Sequence, residues 1–264
     1  MLDYHLHTKL CKHASGEIRE YIEQAIRSDL KEICFTDHIP LPDDFDLAHR
    51  MHEQQMDLYS NWIEQARTNY PELKILYGIE ADYYEGFENY LEKFLARFNF
   101  DLVIMSVHFV KHWSDGNWVF NYHFPGKTIP MIYEEYLNAI IKGINTGLFD
   151  VVGHIDIIKR NGDSLLKVVP GKISETLSAL KKANMAIEIN SSGFRKDANE
   201  CYPGFDWLTE IRNLDLPVTV GSDAHAPEQV AFRFMEVYQQ IKAHKINKMV
   251  SYRKRRMTFI CGPE

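Results

Sequence analysis

The sequence predicts a single α/β domain over residues 1–264, folded as a closed βα-barrel, on three observations. Short apolar runs alternate with longer amphipathic stretches, the pattern of parallel strands with helical cover. The alternation recurs seven times with no composition break, low-complexity tract or internal repeat, which favours closure over a doubly wound sheet. Residues able to bind a cation end six of the seven strands, and strand C-termini converge on one mouth in a βα-barrel.

The first strand is read over Leu2–Leu6, followed by a helix over Glu17–Ser28. In that helix Ile18, Tyr21, Ile22, Ala25 and Ile26 recur at helical spacing. Glu32–Thr36 is the second strand, and Arg50–Asn69 its helix. Lys74–Ala81 and Phe87–Phe98 form the third unit, with Asp101–Val107 and Met131–Asn145 as the fourth. Asp150–Gly153 with Gly171–Asn184, Ala186–Asn190 with Gly204–Asn213, and Pro217–Gly221 with Pro227–Ala243 complete the series. The longest irregular piece, 109–130, carries Trp113, Trp118, Phe120, Tyr122, His123 and Phe124. Its aromatic content fits a lid over the mouth or an outer hairpin packed on the barrel.

Composition narrows the function classes. A chain of 264 residues can bury a full core without staples. A net charge of −7 argues against a general attraction to nucleic acid or anionic membrane. The short basic run Arg253–Arg256 reads as a solvated face. No run approaches a membrane span, and the N-terminus has no signal-peptide pattern. Cys11, Cys34, Cys201 and Cys261 form no CxxC pair, which suits a reducing, cytoplasmic setting.

The chemistry lies in the histidines and carboxylates. His5 and His7 make an H-x-H on one face of the first strand, so both imidazoles can reach one cation. Asp37-His38 ends the second strand, Glu80 the third and His108 the fourth. His154 follows the fifth, and Asp223 and His225 follow the seventh as GSDAH. Together they predict a polynuclear metal site. Cys11 reads as packing, while His49, His52, His112 and His244 read as surface residues. Arg160 and Arg195 follow strands five and six, where guanidinium forks suit a phosphate. His123, in the aromatic loop, is a candidate substrate contact.

Seven segments running in order carry a family resemblance: HLHTKLCKHA (5–14), FTDHIPLP (35–42), GIEADY (78–83), SVHFV (106–110), GHIDIIKR (153–160), INSSGFRK (189–196) and GSDAH (221–225). They span nearly the whole chain. The sequence resembles the PHP (polymerase and histidinol phosphatase) family, and within it the histidinol-phosphate phosphatase branch. Asp37 stands where Glu is also common and Met105 where Gly is frequent, neither at a ligand position.

The resemblance implies a distorted (β/α)7 barrel with three divalent transition-metal ions, whether Zn, Mn or Fe. It implies a first ion on His5, His7, Glu80 and Asp223, and a second on Glu80, His108 and His154. A third would sit on His13, His38 and His225. Asp37 would orient a histidine. The implied activity is hydrolysis of L-histidinol phosphate in histidine biosynthesis, by attack of a metal-bridging hydroxide. Glu80, Asp223 and His225 are then the catalytic group, with Asp223 or a cluster histidine assisting the leaving alkoxide. The substrate's imidazole and ammonium suggest Trp113, Trp118 and Tyr122 as walls and Asp82 or Asp156 as counter-ion. The alternatives are a nucleotide phosphatase or phosphodiesterase on the same scaffold, and a degenerate barrel kept as a binding module. The expected partner is a small phosphate ester, with no nucleic acid or membrane, and the oligomeric state is left open.

Overall fold

The computed structural model describes residues 1–113, 118–120, 124, 126–161 and 164–260. Each predicted strand forms: β1 (Leu2–Leu6), β2 (Glu32–Phe35), β3 (Lys74–Asp82), β4 (Leu102–Ser106), β5 (Val151–Val152), β6 (Ala186–Asn190) and β7 (Val218–Gly221). They pair in sequence order, all parallel. The barrel closes where β1 meets the end of β7. There Ala224 N–H donates to His5 O at 3.1 Å, and His7 N–H donates to Ala224 O at 3.0 Å.

Two further strands, β8 (Met249–Arg253) and β9 (Arg256–Ile260), correct the seven-strand reading. They form an antiparallel hairpin attached to β7 through Val218 and Met249. The hairpin touches the opening ends of the strands. Ser251 Oγ donates to Glu32 Oε1 at 2.7 Å, and Lys254 N to Asp101 Oδ1 at 2.9 Å. Arg255 Nε donates to Asp150 Oδ2 at 2.9 Å. The basic run is therefore a hairpin turn in which Arg255 is partnered, while Arg253, Lys254 and Arg256 are exposed, as a solvated face would be.

The helices follow the expected order on the outside: α1 (Ile18–Arg27), α2 (Met56–Asn69), α3 (Glu88–Leu95), α4 (Ile129–Asn145), a short α5 (Leu165–Val168), α6 (Pro170–Ala183), α7 (Leu208–Asn213) and α8 (Phe234–Ala243). A capping box starts α1, with Glu17 and Glu20 each accepting the other's backbone N–H. Along α4, Ile132, Tyr133, Tyr136, Leu137, Ile140 and Ile144 recur at three- and four-residue spacing and are buried. The helices predicted over 50–69 and 227–243 are shorter than read. Each is preceded by a single 3₁₀ turn, at Glu53–Gln55 and Pro227–Gln229.

Alternation sets which residues look inward. On β1, Leu2, Tyr4 and Leu6 face the helices, whereas Asp3, His5 and then His7 face the barrel axis, all buried. Glu80 and Asp82 on β3 and Glu188 and Asn190 on β6 obey the same rule and are fully buried. The barrel thus has an apolar outer layer and an interior lined with titratable groups towards its C-terminal mouth. Among the described residues no helix is long and apolar enough to cross a membrane.

Candidate active site

Glu80 is the centre of the mouth. Its Oε1 lies 2.9 Å from His154 Nε2, 3.5 Å from His5 Nε2 and 4.0 Å from His108 Nε2. Its Oε2 lies 2.7 Å from His38 Nδ1 and 3.7 Å from His7 Nε2. Asp223 stands on the other side of the first strand's histidines, its Oδ1 3.1 Å from His7 Nε2 and 3.8 Å from His5 Nε2. His225 stacks on His7 with ring centroids 3.9 Å apart, and His13 lies 4.5 Å from His225 and 5.3 Å from His38. Every candidate ligand named from the sequence is therefore in one cluster.

The donor set fits divalent cations. His5 Nε2, both nitrogens of His7, His38 Nδ1, Glu80 Oε2 and His225 Nε2 are buried without a directed hydrogen bond. Each such atom costs roughly 1–3 kcal/mol if nothing satisfies it. Neutral imidazole and carboxylate are the ligand forms that metals require. Burial pushes His38 down to about 4, more than the attraction of Glu80 restores. Burial opposes ionisation of Glu80, but His38 and His5 outweigh it and hold the carboxyl well below its usual range. Ligand-atom groups close enough to share an ion include His5, Glu80 and His154; His5, His7 and Asp223; and His7, His38 and His225. Cys11 joins His13 and His225 in one further group and His7 and Asp37 in another, so the buried thiol read as packing also stands within ligand reach.

Around the cluster, carboxylates fix the imidazoles. Asp37 Oδ1 lies 3.6 Å from His7 Nδ1, beyond hydrogen-bond reach, while its Oδ2 accepts the Thr8 N–H at 3.2 Å. Asp82 Oδ1 lies 2.9 Å from His108 Nδ1, and its Oδ2 accepts from Arg50 Nη2 at 2.7 Å. Burial opposes its ionisation, but Arg50 and His108 hold it well below the usual carboxylate range. Asp82 is thus already partnered, and so is Asp156, which Lys159 Nζ meets at 2.7 Å. Neither lines the cavity above the cluster. Both are corrections to the ammonium counter-ion proposed for them.

Glu188 is the residue that sequence reasoning missed. Its Oε1 lies 2.7 Å from His5 Nδ1, and its Oε2 accepts the His154 N–H at 2.8 Å and Asn190 Nδ2 at 3.0 Å. Gly221 makes room for it: a Cβ there would fall 2.1 Å from Glu188 Oε1 and 2.6 Å from His5 Cβ. A carboxylate at an inward position of β6, opposite His5, was the available signal.

The mouth opens into a cavity of about 430 Å³ lined by the histidine cluster together with Arg195, Lys196, Trp118, Phe120, Asp46 and His49. Arg195 Nη2 donates to the carbonyls of Ser222 and Asp223 at 2.9 and 2.8 Å. Those bonds brace Asp223, whose φ of +51° lies in the left-handed region. Its Nη1 has no directed partner. Arg160 is one layer further out, its guanidinium 4.8 Å from the centroid of the cavity-lining Phe120. His49, read as a surface residue, lines the cavity instead. Trp113, read as a wall, packs away from it with its indole N–H on Glu135 at 2.6 Å. Phe109 and Trp118 bridge antiparallel, as an outer hairpin would, while Trp118 also faces the cavity. Tyr122 and His123 lie outside the described residues.

The family model described as the PHP domain matches residues 3–192. The chain belongs to the PHP domain family. It is 34% identical to a protein named probable histidinol-phosphatase from Deinococcus radiodurans, over 97% of this chain and 98% of that one. It is 30% identical to the histidinol-phosphatase of Bacillus subtilis, over 88% and 96%. In fold it is similar to the histidinol phosphate phosphatase of Lactococcus lactis, solved with Zn, L-histidinol and phosphate. The TM-score is 0.83 at 24% identity, covering 97% of this chain and 98% of that one. The chain thus falls in this family's histidinol-phosphatase branch and shares its barrel fold.

Proposed function

We propose that this chain is a metal-dependent phosphomonoesterase that hydrolyses L-histidinol phosphate to L-histidinol and phosphate, the dephosphorylation step of histidine biosynthesis. The observation that carries the chemistry is the convergence of buried imidazoles on Glu80 beneath a cavity edged by Arg195 and Lys196. The identity of the alcohol rests on the full-length similarity to histidinol-phosphatases.

Three ions are the loading that this donor set supports: one on His5, His7 and Asp223 with Glu80, a second on Glu80, His154 and His108, and a third on His13, His38 and His225. Zn, Mn and Fe all suit nitrogen and oxygen donors of this kind. Bound there, such ions would supply a water of lowered pKa and neutralise charge on the phosphate oxygens. The chain's own residues do the rest. Glu80, with two carboxylate oxygens, would serve both of the first two ions, a role for which one imidazole has too few lone pairs. Arg195 offers Nη1 to the phosphate while Nη2 keeps the turn at Asp223 in place, and Arg160 adds positive charge beyond Phe120. Burial opposes ionisation of Asp223, but His5 and His7 hold it ionised, so it would pass a proton to the departing alkoxide only after taking one from the attacking water.

The test is elemental analysis combined with phosphate release from L-histidinol phosphate. The purified chain should carry close to three transition-metal ions, lose activity on chelation and regain it on reloading. Fully active enzyme carrying one ion per chain would overturn the three-ion loading. Activity indifferent to chelation and metal content would overturn metal dependence itself.

A further inference from the structure

Three carboxylates line the cavity among the described residues: Glu80, Asp223 and Asp46. The first two sit within the imidazole cluster, which leaves Asp46 as the one facing the cavity outside it. Its Oδ1 lies 2.6 Å from His49 Nδ1, and its Oδ2 accepts from Arg50 Nε at 3.1 Å. Arg50 is fully buried and also serves Asp82. Asp82 takes a second partner from His108 and does not line the cavity, so of the two carboxylates on Arg50 Asp46 alone faces it.

The opposite charge lies at the other end, and flat rings connect the two. His49 meets the indole of Trp118 edge-on with centroids 5.2 Å apart. Trp118 lies 5.6 Å from Phe120, and Phe120 carries the Arg160 guanidinium at 4.8 Å. The wall therefore runs from a carboxylate, across aromatic faces, to the cationic side where a phosphate would sit. A ligand that complements it carries an anion at one end, a flat ring in between or alongside, and a cation at the other. About 430 Å³ is room for one small molecule of that kind.

We propose that Asp46, with the ring wall of His49 and Trp118, is the subsite that selects the alcohol. The carboxylate receives the ammonium of the leaving group, and the rings flank its imidazole. This rests on the reading of the chain as a histidinol-phosphate hydrolase and adds the residues that make the choice. A charge-assisted contact of this sort discriminates against an analogue that lacks the amino group, because that analogue forgoes the contact with the carboxylate.

The experiment compares kcat/KM for L-histidinol phosphate with that for its desamino analogue, imidazolylpropyl phosphate, in the wild-type enzyme, in Asp46→Asn and in Asp46→Glu, with metal content measured in each. The wild type should prefer the amino substrate, and Asp46→Asn should lower that preference by about tenfold or more, chiefly through KM. Asp46→Glu, which keeps the charge, should retain part of it. A preference that Asp46→Asn leaves unchanged at full metal content would overturn the assignment while the parent activity stands. Equal kcat/KM for the two substrates in the wild type would overturn the ammonium contact even if the variant failed to fold. Wild-type preference for an unrelated phosphomonoester over both would overturn this proposal and the reading beneath it together.

Discussion

Glu188 shows how one side chain can organise a site it does not itself line. It sets the tautomer of His5 through Nδ1 and pins the backbone at His154, so two ligand positions depend on one carboxylate. Glu188→Gln keeps the volume but removes the charge and points a donor at one of these partners. Metal affinity measured by chelator competition should fall about 10- to 100-fold. Affinity equal to wild type would show that His5 needs no such partner. Arg195 makes a second prediction at this scale. Arg195→Ala removes both the brace on Asp223 and the free Nη1, so it should slow turnover more than Arg160→Ala, whose guanidinium stands behind Phe120. Loss of one charged contact to phosphate should cost about 1.5–3 kcal/mol in kcat/KM. Steady-state kinetics with matched metal content separate the two, and equal effects would place both arginines at the phosphate. The ligand histidines were legible because H-x-H and GSDAH put like residues at strand ends. Glu188, alone in AIEIN, was not, since an isolated inward carboxylate looks like any alternating polar position. Asp46 and His49 were hidden for another reason: they lie in a loop with no periodicity to say which way a side chain points.

Elements were read well where a single physical rule governs them. Buried parallel strands are short apolar runs, and their residue bounds shifted by no more than a residue or two, as in β3 and β7. The hairpin of β8 and β9 went unread because half of its sequence is exposed and basic, and its ties are polar ones across the chain. Glu32 begins β2, Asp101 and Asp150 immediately precede β4 and β5, and nothing in their local sequence pairs them with residues 251–255. The hairpin covers the barrel end away from the metal cluster, so damage there should cost stability rather than chemistry. Arg255→Ala should lower unfolding free energy by about 1 kcal/mol, a figure reduced because the arginine is partly exposed. Urea unfolding of the metal-loaded protein would register it, with kcat unchanged. A large loss of kcat at full occupancy would mean that the hairpin is coupled to the mouth.

At the scale of the whole molecule, a barrel with its titratable groups directed inward is a fold that needs its ligands. The unpartnered atoms of His5, His7, His38, Glu80 and His225 are buried and gathered in one cluster. Stripping the metals should therefore lower Tm as well as abolish turnover, and lowering the pH below the imidazole range should release the ions by protonating their ligands. A metal-free protein with unchanged Tm would remove the cluster from any part in stability. The sequence pattern alone reached as far as a phosphate-ester hydrolase built on this barrel; the identity of the alcohol came from similarity along the full chain. The most direct measurement is a comparison of kcat/KM for L-histidinol phosphate with nucleoside monophosphates, sugar phosphates and phosphoserine on fully loaded enzyme. Histidinol phosphate should lead by about tenfold or more, equivalent to ~1.4 kcal/mol of transition-state binding. A nucleotide ahead by that margin would contradict the account and assign the cavity to a different phosphoester.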